Sequence, residues 1–113
     1  MDRGNGDRWR YALELGRHGR AAVDLLLASL SDEDKWVRYL IIDALGNIHD
    51  PLVVDPLIRA LGDLDQDVRF AAAEALGRVG DERALEALEK TCTGDNGYVR
   101  IAAEEAIGRL RQD

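Results

Sequence analysis

Cysteine and proline are scarce in this 113-residue sequence, which contains only Cys92, Pro51 and Pro56. A single cysteine can form neither an internal disulfide nor the paired-cysteine spacing of a zinc site. Few prolines, with glycine as the main chain-breaking residue, are typical of helices joined by tight turns. We therefore expect a helical protein of the reducing cytoplasm, with no metal and no cofactor.

Long apolar runs and an excess of basic residues are also missing. No stretch approaches the ~20 apolar residues of a membrane span, and the opening MDRGNGD contains no apolar signal core. The net charge is −7, and because residues 1–20 carry five arginines against Asp2, Asp7 and Glu14, the remainder carries −9. Nucleic-acid affinity depends mainly on a basic surface, so we expect neither a nucleic-acid nor a membrane partner.

What the sequence does contain is an internal repeat of 31 residues. Segments 36–50, 67–81 and 98–112 align without a gap as WVRYLIIDALGNIHD, DVRFAAAEALGRVGD and YVRIAAEEAIGRLRQ. Segments that begin at residues 20, 51 and 82 recur at the same spacing, so each unit has two parts. The residues repeated without change are Val37, Val68 and Val99, Arg38, Arg69 and Arg100, and Gly46, Gly77 and Gly108.

The first part of each unit has the apolar spacing of an amphipathic helix. Apolar residues fall at i, i+3, i+4 and i+7, which places them on one helical face. Pro56 lies within the first turn, where its missing N–H costs little, and Cys92 takes an apolar position, so it is predicted to be a small core residue. The three stripes are Val23, Leu26, Leu27 and Leu30; Val54, Leu57, Ile58 and Leu61; and Leu85, Leu88, Glu89 and Cys92.

The second part of each unit is predicted to be a capped helix. Asp34, Asp65 and Asn96 are placed to cap its N-terminus. The recurring glycine is expected to be the left-handed residue at which the helix ends. The residues predicted to pack inward are Ile41, Ala44 and Leu45, with Ala72, Ala75 and Leu76 as their counterparts.

These units predict a single domain over residues 1–113. We divide it into a flexible N-terminus (1–7), a degenerate half-repeat (8–19) and three repeats (20–50, 51–81 and 82–112). A monomer is expected, with self-association through Trp9 or Tyr11 of the half-repeat as the alternative, since the faces of these two rings cannot be assigned. The side chains predicted to cap the C-terminal end of the stack are Glu104, Glu105, Arg109 and Arg111.

The pattern D-x-x-V-R, then A-L-G-x-[IV]-G-D, then a helix of the E-R-A-L-E-A-L type resembles the HEAT-like repeats of phycobilin lyases and of many small prokaryotic and archaeal proteins. The resemblance covers about residues 20–112. It implies an all-α fold, a right-handed α-α superhelix of about three and a half HEAT-like hairpins, in which the second helices line the concave face. It implies little about activity, because such repeats serve as scaffolds, lyase subunits and enzymes.

On this resemblance, the positions flanking V-R and preceding A-L-G face the concave groove, and four of the six aromatic residues occupy them. Aromatic rings bordered by charged residues are the composition of a protein-binding surface. The predicted partner-binding residues are Trp36, Tyr39, Asp43, Phe70, Glu74, Arg78, Tyr98, Ile101, Glu105 and Arg109. The other positions of this set are Lys35, Leu40, Asn47, Gln66, Asp67, Ala71, Gly97 and Ala102. Exposure is expected for Trp36 and Tyr98, whereas Tyr39 and Phe70 could equally pack between helices.

The arginine of each V-R pair is predicted to be structural. Arg38, Arg69 and Arg100 could form a basic ladder for an anionic ligand, but each follows an inward valine. A guanidinium there can pair with an aspartate or asparagine of an adjacent repeat and hold the stack in register.

Side chains suited to catalysis or metal binding are few. Asp63, Asp65 and Asp67 with Glu74 reproduce the spacing of a calcium loop, but Val68 stands where that loop needs glycine. The two histidines, His18 and His49, lie about one repeat apart and are too few for a metal site. Ser29 and Ser31 are expected at a helix end and lie in no nucleophile motif. The sequence therefore predicts a non-catalytic protein-binding scaffold. The alternatives are a subunit or relative of a bilin lyase and, less favoured, nucleic-acid binding through the arginine-rich N-terminus.

Overall fold

The computed structural model describes residues 23–95 and 97–112, and this part of the chain is helical and without β-strands. The predicted all-α solenoid is confirmed. The N-terminal half-repeat, with Trp9, Tyr11 and His18, and the expected cap Asn96 lie outside the described residues. The helices are α1 (Val23–Ala28), α2 (Lys35–Gly46), α3 (Val54–Ala60), α4 (Gln66–Val79), α5 (Leu85–Gly94) and α6 (Gly97–Leu110). We call α1, α3 and α5 the first helices and α2, α4 and α6 the second helices.

Aspartates begin the helices at the predicted positions. The Asp34 side chain accepts a hydrogen bond from the backbone N–H of Trp36, and Asp65 accepts one from Asp67, both at 2.8 Å. Asp50 precedes a short 3₁₀ turn at Pro51–Val53 and accepts from the N–H of Leu52 in the same way. Each cap satisfies a backbone donor that has no partner within its helix.

The core lies between the first and second helices and repeats with the sequence. Leu26, Leu57 and Leu88 are equivalent first-helix residues, and all three are fully buried. Burial of one such leucine contributes about 1.5–3 kcal/mol, so the stripe supplies much of the stability of each unit. Cys92 is half-buried against this core, as predicted. The inward prediction for Ile41, Ala44, Leu45, Ala72, Ala75 and Leu76 is also confirmed.

The prediction that the recurring glycine ends each second helix in a left-handed conformation is wrong. Gly46 is the last residue of α2, whereas α4 continues through Gly77 to Val79 and α6 continues through Gly108 to Leu110. In the described chain, positive φ occurs at Gly80 alone, with φ of 75° at the C-terminus of α4. The recurring glycines therefore have another role.

That role is close helix approach. A Cβ atom added to Gly46 would lie 2.7 Å from the Ala75 Cβ and 2.9 Å from its Cα. One added to Gly77, at the next step of the stack, would lie 3.2 Å from both the Cα and the Cβ of Ala106. Each glycine therefore lets the alanine of the following second helix pack against its backbone, and α2, α4 and α6 stack in direct contact.

The first helices are less closely stacked. A groove of ≈ 320 Å³ separates α1 from α3 and is lined by Leu27, Leu30, Ile42, Pro56 and Ala60, together with polar groups at its edge. The most extensive contacts between repeats are instead those of α2 with α4 and of α4 with α6. The stack is thus tighter on its second-helix side than on its first-helix side.

Arginine clamps at Arg38 and Arg69 join consecutive repeats, as predicted, whereas Arg100 forms no such pair with the described residues. Arg38 donates through Nε and Nη2 to the two carboxylate oxygens of Asp63 at 2.9 and 3.0 Å. Arg69 binds both oxygens of Asp95 in the same bidentate way, at 2.7 and 3.1 Å. The Nη1 group of Arg38 also donates to the carbonyls of residues 32 and 33, and that of Arg69 to those of residues 63 and 64. Each clamp therefore fixes the loop of its own repeat to the loop of the next one.

At its C-terminal end the stack becomes polar. Ile42 and Ala73 are buried beneath the following repeat, whereas Glu104 holds the equivalent position on α6 and is exposed. Arg111 forms an ion pair with Glu89, which replaces an apolar residue of the first-helix stripe. Glu104 and Arg111 thus lie at this end as predicted, whereas Glu105 and Arg109, also predicted for the cap, line the groove between α4 and α6.

Two matched glycine substitutions test the close-approach role. Gly46→Ala should lower the free energy of unfolding by about 1–3 kcal/mol, because the new methyl group overlaps Ala75. Gly108→Ala should raise it by about 0.5–1 kcal/mol, because nothing lies within 4 Å of that position and alanine favours a helix. Urea denaturation measures both values, and a gain in stability at Gly46 would contradict the proposed packing.

The arginine clamp makes a second prediction. Arg69→Lys should cost about 1–3 kcal/mol, because an ammonium group cannot span Asp95 and the two loop carbonyls. Arg100→Lys is the matched control, since the described residues offer Arg100 no hydrogen bond or ion pair. Equal losses in thermal or urea unfolding at the two positions would show that the clamp does not stabilise the stack.

Candidate functional site

The predicted binding residues lie on the three adjacent second helices. Three positions recur on these helices. Tyr39 and Asp43 of α2, with Asn47 directly after it, correspond to positions 70, 74 and 78 of α4 and to positions 101, 105 and 109 of α6. Spacings of four residues place such positions on one side of a helix. We call the surface formed by the ten predicted residues the second-helix face.

The four aromatic residues form two separate pairs. Trp36 and Tyr39 lie one turn apart on α2, with ring centroids 5.7 Å apart in an edge-to-face arrangement. Phe70 of α4 meets Tyr98 of α6 at 5.9 Å, also edge to face, and so joins two repeats. Among the described residues no ring contact links one pair to the other.

Exposure differs between the two members of each pair. Trp36 is 44% exposed and Tyr98 is 53% exposed, which confirms the expectation for these two rings. Tyr39 and Phe70 are half-buried against the core, so part of each ring is structural. Ile101, the residue equivalent to them on α6, is 51% exposed and extends the apolar surface beside Tyr98.

Lys35 contributes to this surface, although it was not among the ten residues selected from the sequence. Its Nζ lies 4.7 Å from the centre of the Trp36 ring and within 3.2 Å of Asp65 and 3.1 Å of Asp67. The carboxylates raise the pKa of the Lys35 ammonium by hydrogen bonding to it. The sequence did contain a signal for this contact. Lys35 lies one repeat before Gln66, and a lysine at that position can reach the aspartates beside Gln66 at the N-terminus of the next second helix.

Tyr39 lies in a negative environment. Burial raises the pKa of its hydroxyl, and the nearby carboxylates of Glu74, Asp43 and Asp67 raise it further, while Arg78 acts in the opposite direction. Asp43 lies one turn further along α2, and the other two carboxylates lie on α4. The hydroxyl therefore lies in a field, set by carboxylates of two repeats, that favours positive charge.

The charged residues differ in whether they are paired. Arg78 donates through Nη2 to the backbone carbonyl and to the carboxylate of Asp43, at 3.1 and 2.9 Å. Glu74 and Arg109 are the equivalent residues one repeat later, but they form no ion pair. Within the described residues Glu105 also has no ion-pair partner. The Asp43–Arg78 pair between α2 and α4 is thus internally neutralised, whereas Glu74, Glu105 and Arg109 keep charges that no described residue pairs.

A groove of ≈ 100 Å³ marks this second step, between α4 and α6. Gly77, Ala102 and Ala106 form its floor, and its walls are the charged side chains of Glu74, Arg78, Glu105 and Arg109. The prediction that Ala71 and Ala102 point outward is wrong, since they are 4% and 3% exposed. Their small side chains are covered where neighbouring second helices come close.

Some of the residues considered for metal binding have structural roles instead. In the described part of the chain, no group of three His, Cys, Asp or Glu side chains is placed to hold a metal ion. Asp63 binds Arg38 and Asp65 caps α4, which accounts for two members of the calcium-like spacing. Burial, followed by the charge of Glu104, raises the pKa of the Cys92 thiol. Of the helices in residues 23–95 and 97–112, none is long and apolar enough to cross a membrane.

Comparison with known families agrees with this architecture. The HEAT repeats family matches residues 7–63 and 23–108, which together span most of the chain. No curated protein matches the sequence. With stacked helix pairs, a repeat of 31 residues and this match, the chain belongs to the HEAT repeat family.

Proposed function

We propose that this protein is a non-catalytic binding module whose partner is another protein, held on the second-helix face. HEAT repeats generally mediate protein–protein interaction, and this chain shares their architecture. The observation that carries the proposal is the exposure of Trp36 and Tyr98 beside charged residues on adjacent helices. Large aromatic rings with a polar border are typical of the centre of protein interfaces.

Helix spacing supports placing the partner on this side. The second helices touch at Gly46 and Gly77, while a wide groove lies between α1 and α3. A stack that is closer on one side curves toward that side, as the helix pairs of a solenoid do. The second helices would therefore line the concave surface, where one partner segment can contact several repeats at once.

A catalytic role has less support from the described residues. Cys92 is half-buried in the core, and its raised pKa keeps the thiol protonated and weakly nucleophilic at neutral pH. As a reactive group, the Cys92 thiol therefore gives no support to the bilin-lyase alternative either. A nucleic-acid partner is disfavoured because residues 23–112 contain eighteen acidic side chains against ten basic ones.

Co-purification from the native host tests the proposal. The double variant Trp36→Ala and Tyr98→Ala should reduce recovery of the partner by about ten-fold or more, since two interface anchors are removed. Trp36 is 44% and Tyr98 53% exposed, and neither belongs to the buried core, so the fold should remain intact. Quantitative mass spectrometry measures the recovery.

The matched control is the double variant Leu25→Ala and Leu52→Ala. These leucines are 53% and 51% exposed but lie on α1 and in the turn before α3, away from the second-helix face. Unchanged partner recovery is expected for the control. If the leucine variant lost the partner and the aromatic variant kept it, the assignment of the binding surface would be wrong.

A further inference from the structure

Resting on the protein-binding function proposed above, we infer that the partner supplies a basic segment, with an arginine or lysine side chain placed against the Tyr39 ring beside Glu74. The occupant is a stretch of polypeptide in which cationic residues alternate with apolar ones. Its chemistry is complementary to the open part of the second-helix face, which combines aromatic rings with carboxylates.

The first argument is the balance of paired and unpaired charges. Lys35 is held by Asp65 and Asp67, and Arg78 is held by Asp43, so two of the cations on this face are already neutralised. Glu74 and Glu105 are exposed and form no ion pair with any described residue. Arg109 is the remaining cation, and it lies at the far end of the α4–α6 groove from Phe70 and Tyr98. Around Tyr39 the uncompensated charge is negative.

The second argument is an arrangement that the chain already uses internally. Lys35 places its ammonium over the Trp36 ring while carboxylates of the next repeat bind the same nitrogen. Tyr39 offers a related combination, a half-buried aromatic ring on α2 with the unpaired carboxylate of Glu74 on the adjacent α4 close enough to act on its hydroxyl. Among the described residues no cation lies over Tyr39. A partner's arginine or lysine would complete a second site of the type that Lys35 completes at Trp36.

The third argument is the position of the apolar contacts. Trp36 lies one turn before Tyr39, and Tyr98 and Ile101 lie exposed on α6. A cation bound at Tyr39 would therefore have apolar surface one turn away on α2 and more of it further along the stack on α6. This arrangement favours a segment with apolar residues flanking the basic one over a uniformly basic segment, because the rings contribute binding energy only when apolar groups cover them.

Binding of three peptides of equal length tests the inference. The probes are fluorescein-labelled peptides with the same leucines and phenylalanine, and with arginine, glutamine or glutamate at the alternating positions. By fluorescence polarisation, the arginine peptide should bind at least about ten-fold more tightly than the glutamine peptide, and its affinity should fall as salt is added. The glutamate peptide should bind most weakly.

Single charge removals locate the effect. Glu74→Gln should weaken binding of the arginine peptide by about three- to ten-fold, because it removes the carboxylate beside Tyr39. Glu86→Gln is the matched control, since Glu86 is exposed on α5 and should leave the affinity unchanged. Both substitutions keep the side-chain shape, so neither should alter the fold.

Several outcomes would overturn the inference. These are equal affinities for the arginine and glutamine peptides, tighter binding of the glutamate peptide, no binding of the arginine peptide below about 1 mM, or equal effects of Glu74→Gln and Glu86→Gln. None of them decides the more general protein-binding function. The test of that function is partner recovery with the double variant Trp36→Ala and Tyr98→Ala, and this test involves no assumption about charge.

Discussion

Direct contact between the second helices of consecutive repeats governs the rest of the structure. Gly46 meets Ala75 at a distance that leaves no space for another methyl group, and Gly77 meets Ala106 at a slightly larger one where a methyl group would be tight. Because each helix packs almost on the backbone of the next, side chains at equivalent offsets on α2, α4 and α6 come to lie side by side. Phe70 of α4 can therefore also reach Tyr98, which lies one turn before the equivalent position on α6.

The same contact decides which groups remain available to a partner. Between α2 and α4, Arg78 lies across Gly46 and is tied to Asp43, which covers the surface at the C-terminal end of α2 and leaves Glu74 unpaired. Between α4 and α6 the corresponding pair does not form, and a groove remains. Bidentate arginine clamps at the loops hold the repeats in register, so that the paired and unpaired charges keep their positions.

Most of the fold could be predicted from the sequence, because the 31-residue repeat fixes both the apolar stripes and the capping aspartates. The role of glycine could not be, since a glycine near a helix end serves equally well as a left-handed terminus or as a site of close approach. Only the position of Ala75 and Ala106 in space decides between them. For the candidate site, exposure of Trp36 and Tyr98 was predictable, whereas the binding of Lys35 to the carboxylates of the next repeat depends on how the repeats stack.

The central claim is that stacking of the second helices builds the surface on which a partner binds. Amide and indole chemical-shift mapping of the ¹⁵N-labelled protein during titration with its co-purified partner tests this claim most directly. The account predicts the largest changes at the Trp36 indole N–H and at the amides of Glu74, Tyr98 and Glu105. Changes confined to α1, α3 and α5, with these signals unmoved, would contradict it.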